Sequence, residues 1–201
     1  MYLEVSGLSI LIDPGDHVKP DEVSKVDVLL YTHEHSGHYD YMNLMAIYEA
    51  YKPHLVVNKG VFKLIRRKVD DERLTKLKAG EMVDLGDVKV HALRAVHPGV
   101  HPLVYLVEVK DKAIFHGDSS AYSSYFQAFS PVDIAFLPVG KPSPNASPKD
   151  ASRMAKDLAP LISVPVHGDP QEMEDFQLRV KAMGLETKVI VPELKKVYEV
   201  L

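Results

Sequence analysis

Three histidines fall within six positions in the stretch Thr32-His33-Glu34-His35-Ser36-Gly37-His38-Tyr39-Asp40, in a chain of 201 residues that holds ten histidines in all. Neutral imidazole rings brought together make good metal ligands, whereas charged ones repel, so such a cluster points to a bound ion. The spacing differs from the i, i+4 histidine pair that helical zinc enzymes use. It suits a strand–loop–helix instead. The chain has no cysteine, so any metal must be held by nitrogen and oxygen, which points to zinc, iron, manganese or nickel. Further on, His97, Asp118 and His167 each follow a run that reads as a strand, and binding residues usually sit on loops held by a rigid sheet.

The elements that must position these groups are legible in outline. Tyr2–Val5 and Leu8–Ile12 flank Ser6-Gly7 as a hairpin, followed by the turn Asp13-Pro14-Gly15. Val26–Tyr31 is almost wholly apolar, as expected of a strand buried on both faces, and it leads straight into Thr32 and His33. A helix is expected over Tyr41–Tyr51 with Asp40 as its N-cap, then a strand at His54–Asn58 and a helix over Val61–Lys68. Asp87–Val96 reads as a long strand broken by Pro98-Gly99. Leu103–Val109 and Ala113–His116 read as a hairpin, and Asp133–Leu137 as a buried strand. Ser147-Pro148 opens a helix that includes Met154 and Leu158, and Leu161–Val166 is a strand ending at His167. Met173, Phe176, Val180 and Met183 recur at helical spacing before Gly184, and Val189–Val191 and Val197–Leu201 are expected to close with strands.

These motifs, in this order, resemble the metallo-β-lactamase superfamily over nearly the whole chain. Ile10–Gly15 resembles the family's early strand and turn. His33-Glu34-His35-Ser36-Gly37-His38 resembles its H-x-H-x-D-H signature. Phe115-His116-Gly117-Asp118-Ser119 resembles the strand-end Gly-Asp motif, and Val164-Pro165-Val166-His167 the last metal histidine. The nearest branch is similar to L-ascorbate-6-phosphate lactonase. The resemblance implies an α/β fold, a four-layer αββα sandwich, as a single domain over residues 1–201. It implies one metal held by His33, His35 and His97, and a second held by His38 and His167 with Asp118 between them, Asp118 and His38 being the catalytic residues. The activity implied is hydrolysis of an ester, lactone, amide or phosphodiester by metal-bound hydroxide. One or two divalent ions are expected, zinc first, with manganese, iron or nickel as alternatives. The departure is Gly37, which stands where the family has aspartate. Glycine offers no side-chain ligand, so the second site loses a ligand or takes water. That motivates a contrasting reading, a non-catalytic metal- or ligand-binding protein on the same scaffold; a nuclease is a third.

Other candidate residues have simpler roles to weigh. His101 competes with His97. His116 either orients a site residue or packs in the core. His17, His54 and His91 read as surface or packing residues, Asp40 as a helix cap, and Asp13 and Asp169 as turn residues. Lys141, in the loop Gly140–Ser147, is a solvated residue or an anion contact. The composition, 46 % apolar and 26 % charged, is that of a globular chain, and a net charge of −4 gives no overall attraction to nucleic acid. A small-molecule substrate is therefore the expected partner, and the oligomeric state is unspecified. No apolar run approaches the roughly 18 residues of a membrane span, and the start has no basic segment before an apolar one, so a cytoplasmic protein is expected. Scarce asparagine and glutamine hint at a heat-adapted source.

Overall fold

The apolar run ahead of His33 forms the strand β3 (Val28–Tyr31), in which every residue is buried. It lies between two parallel neighbours, β2 (Leu8–Ile12) and β4 (His54–Val57). A strand paired on both edges and covered on both faces has no polar side, which explains the run. It starts two residues later than expected, because Asp27 turns away to accept the Ser9 N–H through its carboxylate at 2.9 Å.

The computed structural model describes residues 1–141, 143 and 146–200. It divides into two compact units, Met1–Arg94 with Pro98–Leu103, and Ala95–His97 with Val104–Leu201.

In the first unit β1 (Tyr2–Val5) pairs antiparallel with β2, and β5 (Leu74–Lys76) lies beyond β4, giving the order β1-β2-β3-β4-β5. The helices α1 (Tyr41–Tyr51) and α2 (Lys59–Ile65) bury Leu44, Ile47, Tyr48, Val61 and Ile65 against Leu11, Leu29, Tyr31, Leu55 and Val57 of the sheet. Each such side chain contributes about 1.5–3 kcal/mol by leaving water. Asp40 caps α1 as expected, accepting the Asn43 N–H at 2.7 Å. Asn58, read as a strand residue, instead caps α2 by accepting the Val61 N–H at 2.9 Å, so that helix begins two residues early. A hairpin of β6 (Met82–Asp84) and β7 (Val88–Arg94) completes the unit. The short strands β5 and β6 have too few apolar residues to be legible beforehand.

In the second unit the order is β8-β9-β10-β11-β12, with β8 (Leu103–Val109) and β9 (Lys112–His116) forming the expected antiparallel hairpin. The strands β10 (Ile134–Pro138), β11 (Ile162–Val166) and β12 (Lys188–Val189) run parallel to β9. Helix α3 (Pro148–Leu158), capped by Ser147, buries Ala151, Met154, Ala155 and Leu158 at the i, i+3, i+4, i+7 positions of one face. Helix α4 (Pro170–Ala182) buries Phe176 and Val180. Its cap is Asp169, in a reciprocal box with Glu172. The expected closing strand is absent over Val197–Val200: Val197 is 94 % exposed, so nothing there buries an apolar face, and Leu201 lies outside the described residues.

Parallel pairing sends strand ends to one edge. Ile12 stands opposite Leu30, so Asp13 emerges beside Thr32. Likewise Phe136 stands opposite His116 and Pro138 opposite Val166, so Asp118 and His167 leave the sheet on either side of β10. Carboxyl ends of parallel strands are where such sheets bind ligands.

Candidate metal centre

The first unit brings His33, His35 and His38 together. The ring centroids of His33 and His35 are 4.7 Å apart, and those of His33 and His38 are 4.2 Å apart. His33 is buried, His38 half-buried and His35 exposed. What orients the rings is Asp13. Its Oδ1 accepts the Thr32 N–H at 2.9 Å, while Oδ2 accepts the Thr32 hydroxyl at 2.6 Å and faces His38 Nδ1 at 3.2 Å. A carboxylate oxygen only accepts, so His38 Nδ1 carries the proton and Nε2 is the basic nitrogen. The Thr32 hydroxyl gives its hydrogen to Asp13, so at 2.9 Å from His33 Nδ1 its oxygen accepts. His33 therefore has the same tautomer. Asp13 fixes both. Its side chain does more than shape a turn, the role the sequence had suggested.

The loop that carries these rings is built on glycines. His38 N–H donates to the His35 carbonyl at 3.2 Å, closing a four-residue turn with Gly37 in third place at φ +93°. That position of a type II turn requires a positive φ and favours glycine. Gly15 N–H donates to the His38 carbonyl at 2.9 Å, and a β-carbon on Gly15 would overlap the Gly37 carbonyl. Buried Asn43, in the first turn of α1, secures the neighbouring segment by donating to the carbonyls of Gly15 at 2.7 Å and Val18 at 2.9 Å.

The second unit assembles its own set. Val96 N–H donates to Ser120 Oγ at 2.9 Å and the Val96 carbonyl accepts the Ala121 N–H at 3.0 Å, pinning His97 beside the turn after β9. His97 stands three residues past the end of β7, not directly after the strand. Its Nδ1 lies 3.1 Å from the Ser119 carbonyl, which can only accept, so His97 too has Nε2 as its basic nitrogen. The Ser119 hydroxyl is 3.1 Å from His167 Nε2, and Ser143 donates to the Ser119 carbonyl at 2.7 Å. Asp118 is fully buried. Asp13, His101, Asp118 and His167 all hold left-handed backbone, at φ values of 44°, 55°, 52° and 54°. Such strain costs on the order of 1–3 kcal/mol per residue and concentrates at functional sites.

Thr32 and Ser119 were passed over in the sequence, although each adjoins a site residue. Thr32 meets Asp13 across 19 positions and Ser119 meets His167 across 48, so no local pattern announces those contacts. His17, His54 and His101 take plain roles. His17 pairs with Asp16 on the surface, and His101 contributes its carbonyl to Asn58 at 3.4 Å. His54 bonds Thr75 at 2.8 Å, and burial, then the Arg73 charge, hold its pKa below the usual histidine value. His116 is buried on β9 between Tyr105 and Phe136. Lys141 is exposed, its carbonyl accepting the Gly168 N–H, while Pro142, Pro144 and Asn145 of its loop lie outside the described residues.

A family model described as the beta-lactamase superfamily domain matches residues 1–167, from the first strand through the last candidate histidine. The chain belongs to the metallo-β-lactamase superfamily. A UPF0173 protein of Pyrococcus abyssi is 34 % identical to this superfamily member over 82 % of the chain and 77 % of its own length. A UPF0173 metal-dependent hydrolase of Methanopyrus kandleri is 23 % identical over 98 % of the chain and 94 % of its own length. Among solved structures, a metallo hydrolase from the hyperthermophilic archaeon Ignicoccus hospitalis superposes with a TM-score of 0.79 at 20 % identity, covering 96 % of this chain and 90 % of that one. The mixed α/β fold with two sheets and attendant helices is thus the metallo-β-lactamase fold.

In this superfamily member the turn geometry explains what Gly37 does in place of a carboxylate: it permits the left-handed backbone. A β-carbon there would meet no atom within 4 Å, so an aspartate has room but not the backbone it prefers. Gly37→Asp is therefore expected to lower stability by about 1–2 kcal/mol, read in a thermal melt as a Tm about 2–8 °C lower. An unchanged Tm would show that the turn does not need glycine.

Proposed function

We propose that this chain, as a metal-dependent hydrolase of its superfamily, cleaves an ester, lactone, amide or phosphodiester in a small-molecule substrate. In this reading His33, His35 and His97 hold one divalent ion, and His38 and His167 hold another with Asp118 shared between them. Zinc is the proposed ion, with manganese, iron and nickel compatible with an all-nitrogen-and-oxygen set. The observation that carries the reading is the common tautomer of His33, His38 and His97. In each ring an acceptor takes the Nδ1 proton and leaves Nε2 basic, the arrangement in which imidazole ligates metal. Ions bound there would supply an acidified water and polarise the oxygen of the scissile group.

The chain's own groups do the rest. Asp13 and Thr32 hold two rings in ligating orientation, the Ser119 carbonyl holds a third, and buried Asp118 adds the negative charge that neutral imidazoles lack. With Gly37 the second site has one protein ligand fewer than the family pattern, so a single-ion enzyme is compatible with the same residues. Gly37 is also what would favour a binding protein over an enzyme.

Reconstitution with each of zinc, manganese, iron(II) and nickel, followed by a screen of p-nitrophenyl esters, lactones, anilides and bis-p-nitrophenyl phosphate, tests the proposal. Metal-stimulated turnover of at least one class is the expected result. Metal uptake with no turnover would support the binding protein, and no uptake would overturn both readings.

A further inference from the structure

Gly140 stands two residues past β10 and, unlike Gly37 and Gly168, does not hold left-handed backbone. What requires glycine there is room. A β-carbon on Gly140 would overlap Cδ and both carboxylate oxygens of Glu172, in the first turn of α4. The same carboxylate reaches a second glycine. A β-carbon on Gly168 would lie 3.1 Å from Glu172 Oε2 and 2.7 Å from Val139 Cγ2. Glu172 thus fills a notch between the chain leaving β10 and the chain leaving β11, with a glycine on each side. Its part in the capping box, where Oε2 accepts the Asp169 N–H at 2.9 Å and Asp169 Oδ1 accepts the Glu172 N–H at 2.9 Å, needs no such notch.

The notch adjoins a candidate ligand. His167 and Gly168 hold consecutive left-handed conformations, at φ 54° and 90°. A histidine in that region is uncommon, and such backbone persists only where the surroundings impose it. Three contacts impose it here. Val139 N–H donates to the Val166 carbonyl at 2.9 Å, just before the turn, and Gly168 N–H donates to the Lys141 carbonyl within it. Glu172 is the third, pressed against Gly168 and Gly140 while it holds the Asp169 N–H. Backbone conformation sets where a side chain leaves the chain. Whatever holds this turn therefore aims the His167 ring.

We infer that Glu172 is a positioning residue: wedged between Gly140 and Gly168, it holds the turn that aims His167 at metal. The inference rests on the proposed role of His167 as a ligand. Its test compares Glu172→Ala, Gly140→Ala, their double variant and Asp169→Ala, with Glu172→Gln as the conservative change. His167→Ala shows how much zinc affinity passes through the ring. Two quantities are read: the exchange rate of the Gly168 amide in metal-free protein, and zinc affinity by chelator competition. Glu172→Ala and Gly140→Ala should each speed Gly168 exchange and weaken zinc by about tenfold, the usual size for a residue that orients a ligand. The double variant should be no worse than Glu172→Ala, because Gly140→Ala acts only by displacing the carboxylate. Asp169→Ala removes the other half of the capping box and leaves the wedge. It should lower Tm by about 2–4 °C, as a lost helix cap does, with Gly168 exchange and zinc affinity close to wild type. Glu172→Gln keeps the shape and serves a capping box equally well, so it should also stay close to wild type.

Unchanged Gly168 exchange in Glu172→Ala would overturn the inference, as would additive effects in the double variant. So would zinc affinity that falls as far in Asp169→Ala as in Glu172→Ala, or that holds in Glu172→Ala although His167→Ala lowers it. Zinc affinity untouched by His167→Ala would instead overturn the ligand role of His167, and Gly168 exchange would then decide whether Glu172 holds the turn.

Discussion

Asp118→Asn will leave the protein folded and remove most of its hydrolytic activity. Asp118 is 0 % exposed and follows β9 at φ 52°, a backbone that asparagine adopts as readily as aspartate. The substitution keeps the shape and the turn in which Ser120 N–H bonds the Gly117 carbonyl at 3.0 Å. It removes a charge. Neutral imidazoles give a divalent ion donor electrons but no compensating charge, so a shared carboxylate matters most where histidines dominate. Loss of one preorganised electrostatic contact typically costs roughly 10²–10³ in kcat, and the same range is expected here. The measurement is kcat on the best substrate of the screen, paired with zinc stoichiometry. Zinc should be lost from the His38–His167 site before the His33–His35–His97 site. Equal loss from both would contradict the division of ligands proposed here.

The second large effect comes from a residue proposed to touch no metal. Asp13→Asn should flip two imidazoles at once. If the asparagine oxygen keeps the Thr32 N–H, its NH₂ group replaces the oxygen that now faces Thr32 Oγ and His38 Nδ1. An NH₂ donates, so His38 Nδ1 becomes the acceptor and the ring proton moves to Nε2. The Thr32 hydroxyl, now receiving a hydrogen bond, turns its own hydrogen to His33 Nδ1, and His33 flips as well. Both rings then present a proton where the metal needs a lone pair. Asparagine tolerates the φ of 44° at this position, so the fold should survive. Zinc affinity should fall about 10- to 100-fold, the range for groups that orient metal ligands. Nitrogen-detected NMR of the histidine rings in metal-free protein reads the tautomers directly. Nδ1–H signals for His33 and His38 in both wild type and variant would rule out the relay.

The histidine cluster and the buried strand before it were plain in the sequence, because both depend on local residue type. Val26–Tyr31 reads as apolar but for Asp27, and Asp40, Ser147 and the apolar spacing of α3 announce their helices. What stayed hidden depends on partners distant in the chain. Asp13 precedes Pro14-Gly15 and so looks like a turn former; only the register of β2 against β3 puts its carboxylate beside Thr32. Glu172 carries no signal of its own until Gly140 and Gly168 fold around its carboxylate. Gly37 looks like a missing ligand, and its turn shows a conformational requirement as well. The Val197–Leu201 alternation was misleading for the opposite reason: a strand pattern makes a strand only when a sheet edge and a buried face await it.

The central claim is that these histidines hold metal through Nε2. A crystal equilibrated with zinc and measured on both sides of the zinc absorption edge tests it in one experiment. An anomalous peak about 2.0–2.1 Å from Nε2 of His33, His35 and His97 is the predicted result, with or without a second peak beside His38, Asp118 and His167. Zinc bound elsewhere, or no peak within bonding distance of those three rings, would contradict the account.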